Sequence, residues 1–305
     1  MKDSPFFQQA FLMLQVLPYA LQEECFGLKG GTAINLFVRD TPRLSVDIDL
    51  TYLPLEPRED SLNKIDQSLR RIAKAIQDGL RSVKVKSQGE SGSGRIFKLL
   101  VGEKPNLIKI EPNTIIRGVI TQGAVIDLSV KAQELFGVSV SARVLSFLDL
   151  YGGKICAALD RQHPRDLFDI KLLLEQEGIT DEVRKSFLIY LISHPRPIHE
   201  LLDPKLKDIQ TLFKAGFIGM TDQEVSCEDL VEARRTLIET LKKELTQDER
   251  KFLLSVKEMN PNWGLLGLEG IEKLPAVKWK LENLGKMKPK LHSESVKNLK
   301  RILGL

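Results

Sequence analysis

LKGGTAINLFVRDTPRLSVDIDL, residues 28–50, is the stretch that best indicates the fold of this chain and the kind of site it carries. Toward its end, apolar residues at positions 46, 48 and 50 alternate with Asp47 and Asp49. This alternation predicts a half-buried β-strand, in which the two aspartates share one face and lie about 7 Å apart. Two carboxylates placed in this way can hold a pair of divalent metal ions. The stretch therefore predicts a metal-dependent site on one face of a sheet.

A glycine pair, Gly30 and Gly31, precedes the acidic strand and leads into a predicted helix over Ala33–Val38. Glycine allows a backbone to approach a phosphate closely, and a helix N-terminus attracts anions. Thr32 can cap the start of this helix, or bond a phosphate from the same place. The helix returns the chain so that the acidic strand can lie beside the strand ending at Lys29. A phosphate-binding turn beside paired carboxylates is the layout of phosphoryl or nucleotidyl transfer.

The pattern G-G-T, ten residues, then R-x-S-x-D-I-D-L resembles the DNA polymerase β-like nucleotidyltransferase superfamily. Within it, the chain is most similar to the AbiEii/AbiGii toxins of type IV toxin–antitoxin systems, which include nucleotidyltransferases that modify tRNA. Three later segments resemble that family in the same order: LIKIEP at 107–112, KICAALDRQHPRDLFDI at 154–170 and PAVKWKLENL at 275–284. The resemblance therefore covers most of the chain, from about residue 26 to residue 285.

The resemblance implies a Mg²⁺-dependent enzyme that transfers NMP from an NTP to an acceptor, with a two-metal site. It implies the 3′ end of tRNA as that acceptor, and a growth-inhibiting toxin held in check by a cognate antitoxin. Two other hypotheses stay open at this point. The acceptor can be a small molecule, such as an aminoglycoside, or a protein side chain; alternatively, the chain is a non-catalytic module that binds a partner.

A third acid on a neighbouring strand usually positions or deprotonates the nucleophile in such enzymes, and Glu111 is the first candidate here. It follows the apolar strand predicted over residues 107–110 and matches the acidic position of the family's third motif. The family more often has Asp there, and Pro112 directly after it departs from the pattern. Asp127, within VIDLSV, is the competing candidate because it also interrupts an apolar strand. The predicted metal ligands are Asp47, Asp49 and Glu111.

Lys154 lies on a predicted helix over residues 145–159 and can reach the triphosphate as a point charge. Asp166 and Asp169 follow at i and i+3, so they are neighbours on one helix face. One of them can fix Lys154 through a salt bridge while the other assists at the metal or the nucleophile. Asp166 can also cap its helix. The resemblance implies that Lys154 and one of these aspartates are needed for activity.

Further residues are candidates for nucleotide binding. Arg43 and Ser45 stand just ahead of the acidic strand, where Arg43 can bind the triphosphate or order the loop. Lys109 shares a strand face with Glu111, either as its ion-pair partner or as a phosphate contact. The predicted nucleotide-binding set is Gly30, Gly31, Thr32, Arg43, Ser45, Lys109 and Lys154.

The whole chain is predicted to be α+β, with a polymerase β-like nucleotidyltransferase domain containing a mixed sheet, followed by a mostly α-helical domain. Strand patterns end near residue 140, so the domains are predicted at 1–140 and 141–305. Helical patterns over 145–159, 167–176, 181–192, 229–244 and 248–259 fill the second part. Residues 271–305 carry a net charge of +6 in a chain of +4, and a basic segment of this kind favours contact with a polyanion such as RNA.

Composition limits the remaining classes. With 305 residues, 42% of them hydrophobic and 28% charged, the chain is typical of a globular protein. No apolar run reaches the roughly 18 residues that span a bilayer, and polar residues interrupt the apolar N-terminus as in an amphipathic helix. Three widely spaced cysteines favour neither a disulfide framework nor a zinc site. These features predict a cytoplasmic protein.

Overall fold

Seven strands of the described residues form one mixed sheet in the order β3-β4-β5-β2-β1-β7-β6. The computed structural model describes residues 1–89, 92 and 94–305. β1 pairs with β2 antiparallel, whereas β2 pairs with β5 and β1 with β7 in parallel. The strands are β1 (Phe26–Lys29), β2 (Ile48–Tyr52), β3 (Val85–Gly89), β4 (Ile96–Val101), β5 (Ile108–Asn113), β6 (Ala124–Asp127) and β7 (Ser141–Val144). With the helices below, this confirms the predicted α+β class and mixed sheet.

The chain divides into two compact units. Unit 1 comprises residues 1–150 and 217–224, and unit 2 comprises residues 151–216 and 225–305. Unit 1 holds the sheet and the helices α1 (Phe7–Leu21), α2 (Gly30–Ala33, continued by a π-helical turn at Ile34–Val38), α3 (Arg58–Gly79) and α4 (Val130–Phe136).

The regular secondary-structure elements of unit 2 are all helices. Its helices are most of α5 (Phe147–Asp160), then α6 (Pro164–Gln176), α7 (Asp181–Ser193), α8 (Ile198–Leu202), α9 (Gln210–Gly216), α10 (Cys227–Glu244), α11 (Gln247–Lys257), α12 (Pro275–Gly285) and α13 (Pro289–Leu303), with 3₁₀ turns at Trp263–Leu265 and Ile271–Lys273. No helix of the described residues is both long and apolar enough to cross a membrane.

The core of unit 1 lies under the middle of the sheet. Leu28 of β1, Ile48 and Leu50 of β2, and Ile110 of β5 are fully buried. Because successive side chains of a strand point to opposite faces, the polar residues between them lie on the other face of the sheet. The predicted alternation around Asp47 and Asp49 is thus present, although Asp47 itself precedes β2, which begins at Ile48.

Three elements differ from the sequence-based prediction. The helix expected over Ala33–Val38 begins earlier, at Gly30, and its second half is π-helical. The strand expected over Val125–Val130 ends at Asp127, because Ser129 caps α4 by accepting a hydrogen bond from the Ala132 N–H. Strand β7 follows residue 140, where strands were expected to stop; it alternates for only four residues, which is too short for a clear periodic signal.

A segment from the second half of the sequence completes unit 1. Residues 217–224 belong to this unit, and the Met220 carbonyl accepts a hydrogen bond of 2.7 Å from the Leu44 N–H. The Thr221 hydroxyl donates to the Pro42 carbonyl at 2.7 Å. The loop that leads into the acidic strand is therefore held by residues nearly 180 positions away in sequence.

Candidate active site

A row of polar residues crosses the sheet on the face opposite the core of unit 1. Asp49 of β2 pairs in register with Lys29 on one side and with Glu111 of β5 on the other. Residues paired in register point to the same face of a sheet, about 5 Å apart from strand to strand. The structure therefore brings the predicted third acid, Glu111, next to Asp49.

The polar row continues beyond Glu111 toward the β3 edge. Lys98 of β4 forms an ion pair of 3.0 Å with Glu111, and Lys98 pairs in register with Gln88 of β3. The Glu111 side chain keeps 46% of its surface exposed. Its carboxylate thus remains accessible while one cation holds it in place.

The glycine turn packs directly against the acidic strand. Gly30 has φ +72°, and a Cβ there would lie 2.2 Å from the Asp49 Oδ2 atom. A Cβ on Gly31 would lie 2.7 Å from Nη2 of Arg43 and 3.1 Å from Oγ of Ser45. Contacts below 3 Å leave no room for a side chain at Gly30, and a side chain at Gly31 would displace the Arg43 guanidinium. Gly30 also has a left-handed backbone conformation that favours glycine, so two independent constraints act at this position.

Thr32 does not cap the helix, in contrast to one of its two predicted roles. The N-cap position is Lys29, and it makes no side-chain capping bond. The Thr32 hydroxyl is buried; it donates to the Asp47 carbonyl at 2.5 Å and lies 2.9 Å from Oγ of Ser45. Thr32 and Ser45 therefore join the glycine turn to the strand that carries the aspartates.

Arg43 is a buried residue rather than a surface arginine. Only 2% of it is exposed, and its Nη1 donates to the Leu44 carbonyl at 2.8 Å. Its guanidinium also packs on Gly31, as the close approach of Nη2 shows. Of the two roles predicted for Arg43, ordering the loop is the one that these contacts support.

Asp127, the competitor of Glu111, lies on the edge strand β6. Three strand spacings, or roughly 14 Å, separate β6 from β2 in the sheet. The Asp127 carboxylate accepts a 2.6 Å hydrogen bond from the Ser141 hydroxyl across the β6–β7 ladder. Asp127 is therefore not brought beside Asp49, whereas Glu111 is.

Lys109 lies two residues before Glu111 on the same exposed face of β5. The cation that pairs with Glu111 is Lys98, so the ion-pair role considered for Lys109 falls to a different residue. Lys109 is exposed on the polar face, and its predicted phosphate contact stays a prediction.

The acidic residues of this face suit Mg²⁺ by their chemistry. Asp47, Asp49 and Glu111 offer hard carboxylate oxygens, and all three are at least partly exposed. No three His, Cys, Asp or Glu side chains among the described residues form a closed metal-binding group. Mg²⁺ commonly binds one or two carboxylates together with substrate phosphates rather than an all-protein cage. An open carboxylate pair therefore fits a metal that arrives with a nucleotide.

The remaining predicted residues form a buried ion-pair cluster in unit 2. Lys154 of α5 lies 3.0 Å from an oxygen of Asp166 and 2.8 Å from one of Asp169, both on α6. Exposure of the three side chains is 5%, 1% and 0%. Arg161 adds a second cation to Asp166 at 2.5 Å and 2.9 Å. Both aspartates therefore bind Lys154, rather than only one of them.

The charges around Asp166 determine its protonation. Burial by itself would raise the pKa of this carboxyl, but the positive charges of Lys154 and Arg161 outweigh burial and hold its pKa well below the usual range. The N-cap of α6 is His163, whose Nδ1 accepts the Arg165 N–H, so Asp166 does not cap the helix. Asp166 is thus an ionised member of a packed cluster at neutral pH.

Two residues of the site were missed in the sequence. Lys98 is the one charged residue in the strand IFKLLV, and that isolation was the signal available. Asn35 is fully buried, and its amide donates to the Gly31 carbonyl at 2.9 Å, which holds the glycine turn in place. A buried asparagine within an apolar helical stretch gives no local indication of its partner.

Comparisons with known proteins show the family and the fold of the chain. A family model described as "Nucleotidyl transferase AbiEii toxin, Type IV TA system" matches residues 12–283. Among solved structures, the chain is similar to MenT4, a nucleotidyltransferase toxin from Mycobacterium tuberculosis H37Rv. That match has 16% sequence identity and a TM-score of 0.57 over 90% of this chain and 92% of the other, which shows a shared fold. No protein with a curated functional description matches the chain.

Proposed function

This chain belongs to the AbiEii nucleotidyl transferase toxin family of type IV toxin–antitoxin systems, and on that premise we propose that it transfers NMP from an NTP to the 3′ end of tRNA. The family match and the fold shared with MenT4 make it a nucleotidyltransferase toxin. The acceptor, the metal and the residues that act are the parts proposed here.

The observation that carries the proposal is the registered pair Asp49 and Glu111 on adjacent strands, with Gly30 packed on Asp49. Asp47 and Asp49, with Glu111, would hold Mg²⁺. When bound with the nucleotide, Mg²⁺ would neutralise charge on the triphosphate and on the attacking oxygen. The glycine turn, lacking side chains, would let its backbone N–H groups approach phosphate oxygens closely.

The acid–base chemistry falls to Glu111. An acceptor hydroxyl oxygen attacks the α-phosphorus, a new P–O bond forms, and the bond from that phosphorus to the β-phosphate oxygen breaks, releasing pyrophosphate. Glu111 accepts the proton that the hydroxyl loses. Lys98, 3.0 Å from Glu111, holds the carboxylate oriented for that step.

We propose that an active protein also needs the buried ion-pair cluster of unit 2, which consists of Lys154, Asp166 and Asp169. Their mutual ion pairs join α5 to α6 within unit 2. Loss of one partner would leave an uncompensated buried charge. The phosphate contact predicted for Lys154 stays a prediction.

The acceptor is proposed to be RNA because of charge. Residues 271–305 carry a net +6, and within α13 and the turn before it Lys288, Lys290 and Lys297 are exposed. Contacts to phosphates supply affinity that does not depend on base sequence. As a type IV toxin, the protein is further proposed to be neutralised by a cognate antitoxin.

The proposal is tested with purified protein, total tRNA, Mg²⁺ and each of the four α-labelled NTPs in turn, beside the Asp49→Asn variant. Label should enter tRNA with at least one NTP, and the variant should lose that activity. Omitting Mg²⁺ should abolish transfer as well. Label that appears only in protein or in an added aminoglycoside, or nowhere, would refute tRNA as the acceptor.

A further inference from the structure

A cavity of about 370 Å³ opens beside Glu111 within unit 1. Its lining includes Arg58 at the start of α3, Gln88, Phe97, Lys98, Thr114 and Glu111 itself. Of these residues, only Glu111 is a site residue predicted from the sequence. The cavity thus shares Glu111 and Lys98 with the site described above, whereas Arg58, Phe97 and Thr114 are not part of that site.

The cavity and the glycine turn flank the acidic residues on opposite sides. The glycine turn follows β1, on one side of β2, whereas the cavity is bounded by residues of β3, β4 and β5 on the other side. Asp49 of β2 stands between them. A donor triphosphate at the glycine turn would therefore leave the cavity free for a second substrate.

The wall of the cavity carries an excess of positive charge. Arg58 and Lys98 line it, and Glu111 is the acid among its lining residues. Near Arg58 lies Arg117, which is only 2% exposed and whose Nε and Nη1 have no hydrogen-bond partner among the described residues. Burial and, secondarily, the charge of Arg58 lower the pKa of Arg117. Two neighbouring guanidinium groups, one of them buried, favour the binding of an anion close to them.

The other lining residues suit a nucleotide. Phe97 and Leu62 supply apolar surface for a base, while Gln88 and Thr114 supply hydrogen-bonding groups. Ligand pockets in proteins usually range from about 300 to 1,000 Å³. At the small end of that range, the cavity has room for a single nucleotide residue.

We propose that this cavity binds the 3′-terminal nucleotide of an RNA acceptor, with Arg58 and Lys98 contacting its phosphate and Glu111 beside its 3′-hydroxyl. The inference rests on the proposed function, because it assigns the acceptor side of the same reaction. It identifies a polynucleotide, rather than a small molecule or a protein side chain, as the substrate that these residues recognise. Arg58 and Lys98 are then residues that position the acceptor.

The experiment measures binding of a 5′-fluorescein RNA hexanucleotide ending in CCA, by anisotropy, to the full chain at several KCl concentrations. Arg58→Gln should weaken binding about tenfold and reduce the slope of log K against log[salt] by about 0.7, as expected for one lost phosphate contact to a single strand. Arg58→Lys should retain most of the affinity. Lys74→Gln removes an equal charge from the same helix outside the cavity, and should change neither quantity.

Binding of ATP, measured in parallel, should be unchanged in Arg58→Gln, because the donor is placed at the glycine turn. The inference is overturned if the unaltered chain does not bind the RNA, if Arg58→Gln and Lys74→Gln behave alike, or if Arg58→Gln weakens ATP binding instead. Thermal unfolding of each variant verifies that it is folded.

The two proposals fail separately. RNA binding that depends on Arg58, without any transfer of label, would refute the proposed function and leave the RNA site in place. Transfer to tRNA with an RNA affinity that does not depend on Arg58 would refute only the cavity as the acceptor site.

Discussion

The carboxylates of unit 1 and those of unit 2 look alike in the sequence but have different surroundings. Asp47 and Asp49 form a D-x-D motif, and Asp166 and Asp169 form a D-x-x-D motif. Asp49 and Glu111 lie on the open face of a sheet, and Glu111 is 46% exposed. Asp166 and Asp169 are 1% and 0% exposed, and both bind the buried ammonium of Lys154. One region is open to a ligand, whereas the other is closed around its own counter-ion.

The difference shows how burial separates two uses of an acidic motif. An exposed carboxylate can exchange water for a metal or a substrate at little cost. A buried carboxylate that is fully paired must break those pairs first, and the remaining charge is then uncompensated in a medium of low dielectric constant. We therefore expect substitutions in unit 1 to affect mainly activity and substitutions in unit 2 to affect mainly stability.

The largest effect is expected at the third acid. Glu111→Gln should lower the rate of NMP transfer by about 10²–10⁴-fold, the usual contribution of a general base. Asp127→Asn, the matched substitution on the distant strand β6, should stay within about twofold of the unaltered rate. Transfer from α-labelled NTP measures both. A larger loss in Asp127→Asn than in Glu111→Gln would reverse the assignment of the third acid.

The next effect is on stability, at the cluster in unit 2. Lys154→Met should lower the free energy of unfolding by about 3–5 kcal/mol, because it leaves two buried aspartates without their shared cation. Glu111→Gln, at an exposed ion pair, should lower it by no more than about 0.5 kcal/mol. Urea unfolding followed by circular dichroism measures the two values. Similar values for both variants would remove the contrast between the units.

We expect the same cluster to make the stability of the protein depend on pH in acid. The pKa of Asp166 is lower in the folded protein than in the unfolded chain, where it is near 3.9. The unfolded chain therefore binds more protons below about pH 4, and the stability from this cluster, fully present above that pH, is lost as the pH falls further. Lys154→Met should weaken this acid sensitivity in unfolding experiments between pH 2 and pH 5.

A smaller effect on the rate is expected at the glycine turn. Gly30→Ala introduces a Cβ 2.2 Å from Asp49 Oδ2, so the carboxylate must move, and a displacement of about 1 Å can reduce a rate about 10²-fold. Gly137→Ala is the control, because Gly137 also has a positive φ, +66°, but a Cβ there meets nothing within 4 Å. Both variants should lose about 1–2 kcal/mol of stability from backbone strain.

Only Gly30→Ala should lose activity as well. Transfer assays at saturating NTP, with thermal unfolding of both variants, separate the two effects. Equal activity of the two alanine variants would mean that contact with Asp49 does not matter for the reaction.

The smallest effect concerns Lys280, a buried cation of unit 2 whose ammonium forms hydrogen bonds with backbone carbonyls. Lys280 donates to the carbonyls of His194 and Arg196 at 2.6 and 2.7 Å, and burial, with the charge of Lys257, lowers its pKa to about 8. In the unfolded chain a lysine titrates near 10.4. Between these values the unfolded chain binds more protons, so the free energy of unfolding should rise with pH, by at most about 1.4 kcal/mol per unit.

Urea unfolding at pH 7, 8, 9 and 10 measures this slope, and Lys280→Met should flatten it. The exposed Lys74→Met gives the control, since its loss should leave the slope as it is. An unchanged slope in Lys280→Met would contradict the assignment of this titration to Lys280.

Local patterns in the sequence were sufficient for the main elements of the fold. The alternation around Asp47 and Asp49 predicted β2, and helical periodicity predicted α5, α6 and α7 close to their observed bounds. These patterns depend on which side chains face a core, and a window of ten to fifteen residues contains that information. The short strand β7 was missed for the same reason, since four residues hold little periodicity.

Pairing between distant segments was not available from such windows. Glu111 and Asp127 both interrupt apolar strands, and only the sheet order, with β5 beside β2 and β6 three strands away, distinguishes them. Thr32 has the residue type of a helix cap, but its hydroxyl is used by the Asp47 carbonyl, fifteen residues further on. In each case a non-local contact took precedence over a local preference.

The sequence by itself determined that this chain carries a glycine turn, an acidic strand and a lysine–aspartate pair in an order that resembles one enzyme family. Tertiary structure decided which acid faces Asp49, which cation holds Glu111, and that Arg43 and Lys154 are buried rather than exposed. The physical reason is that residue type and spacing set what a side chain can do chemically. Its neighbours across the sheet, and its exposure to water, arise only when strands far apart in sequence are paired.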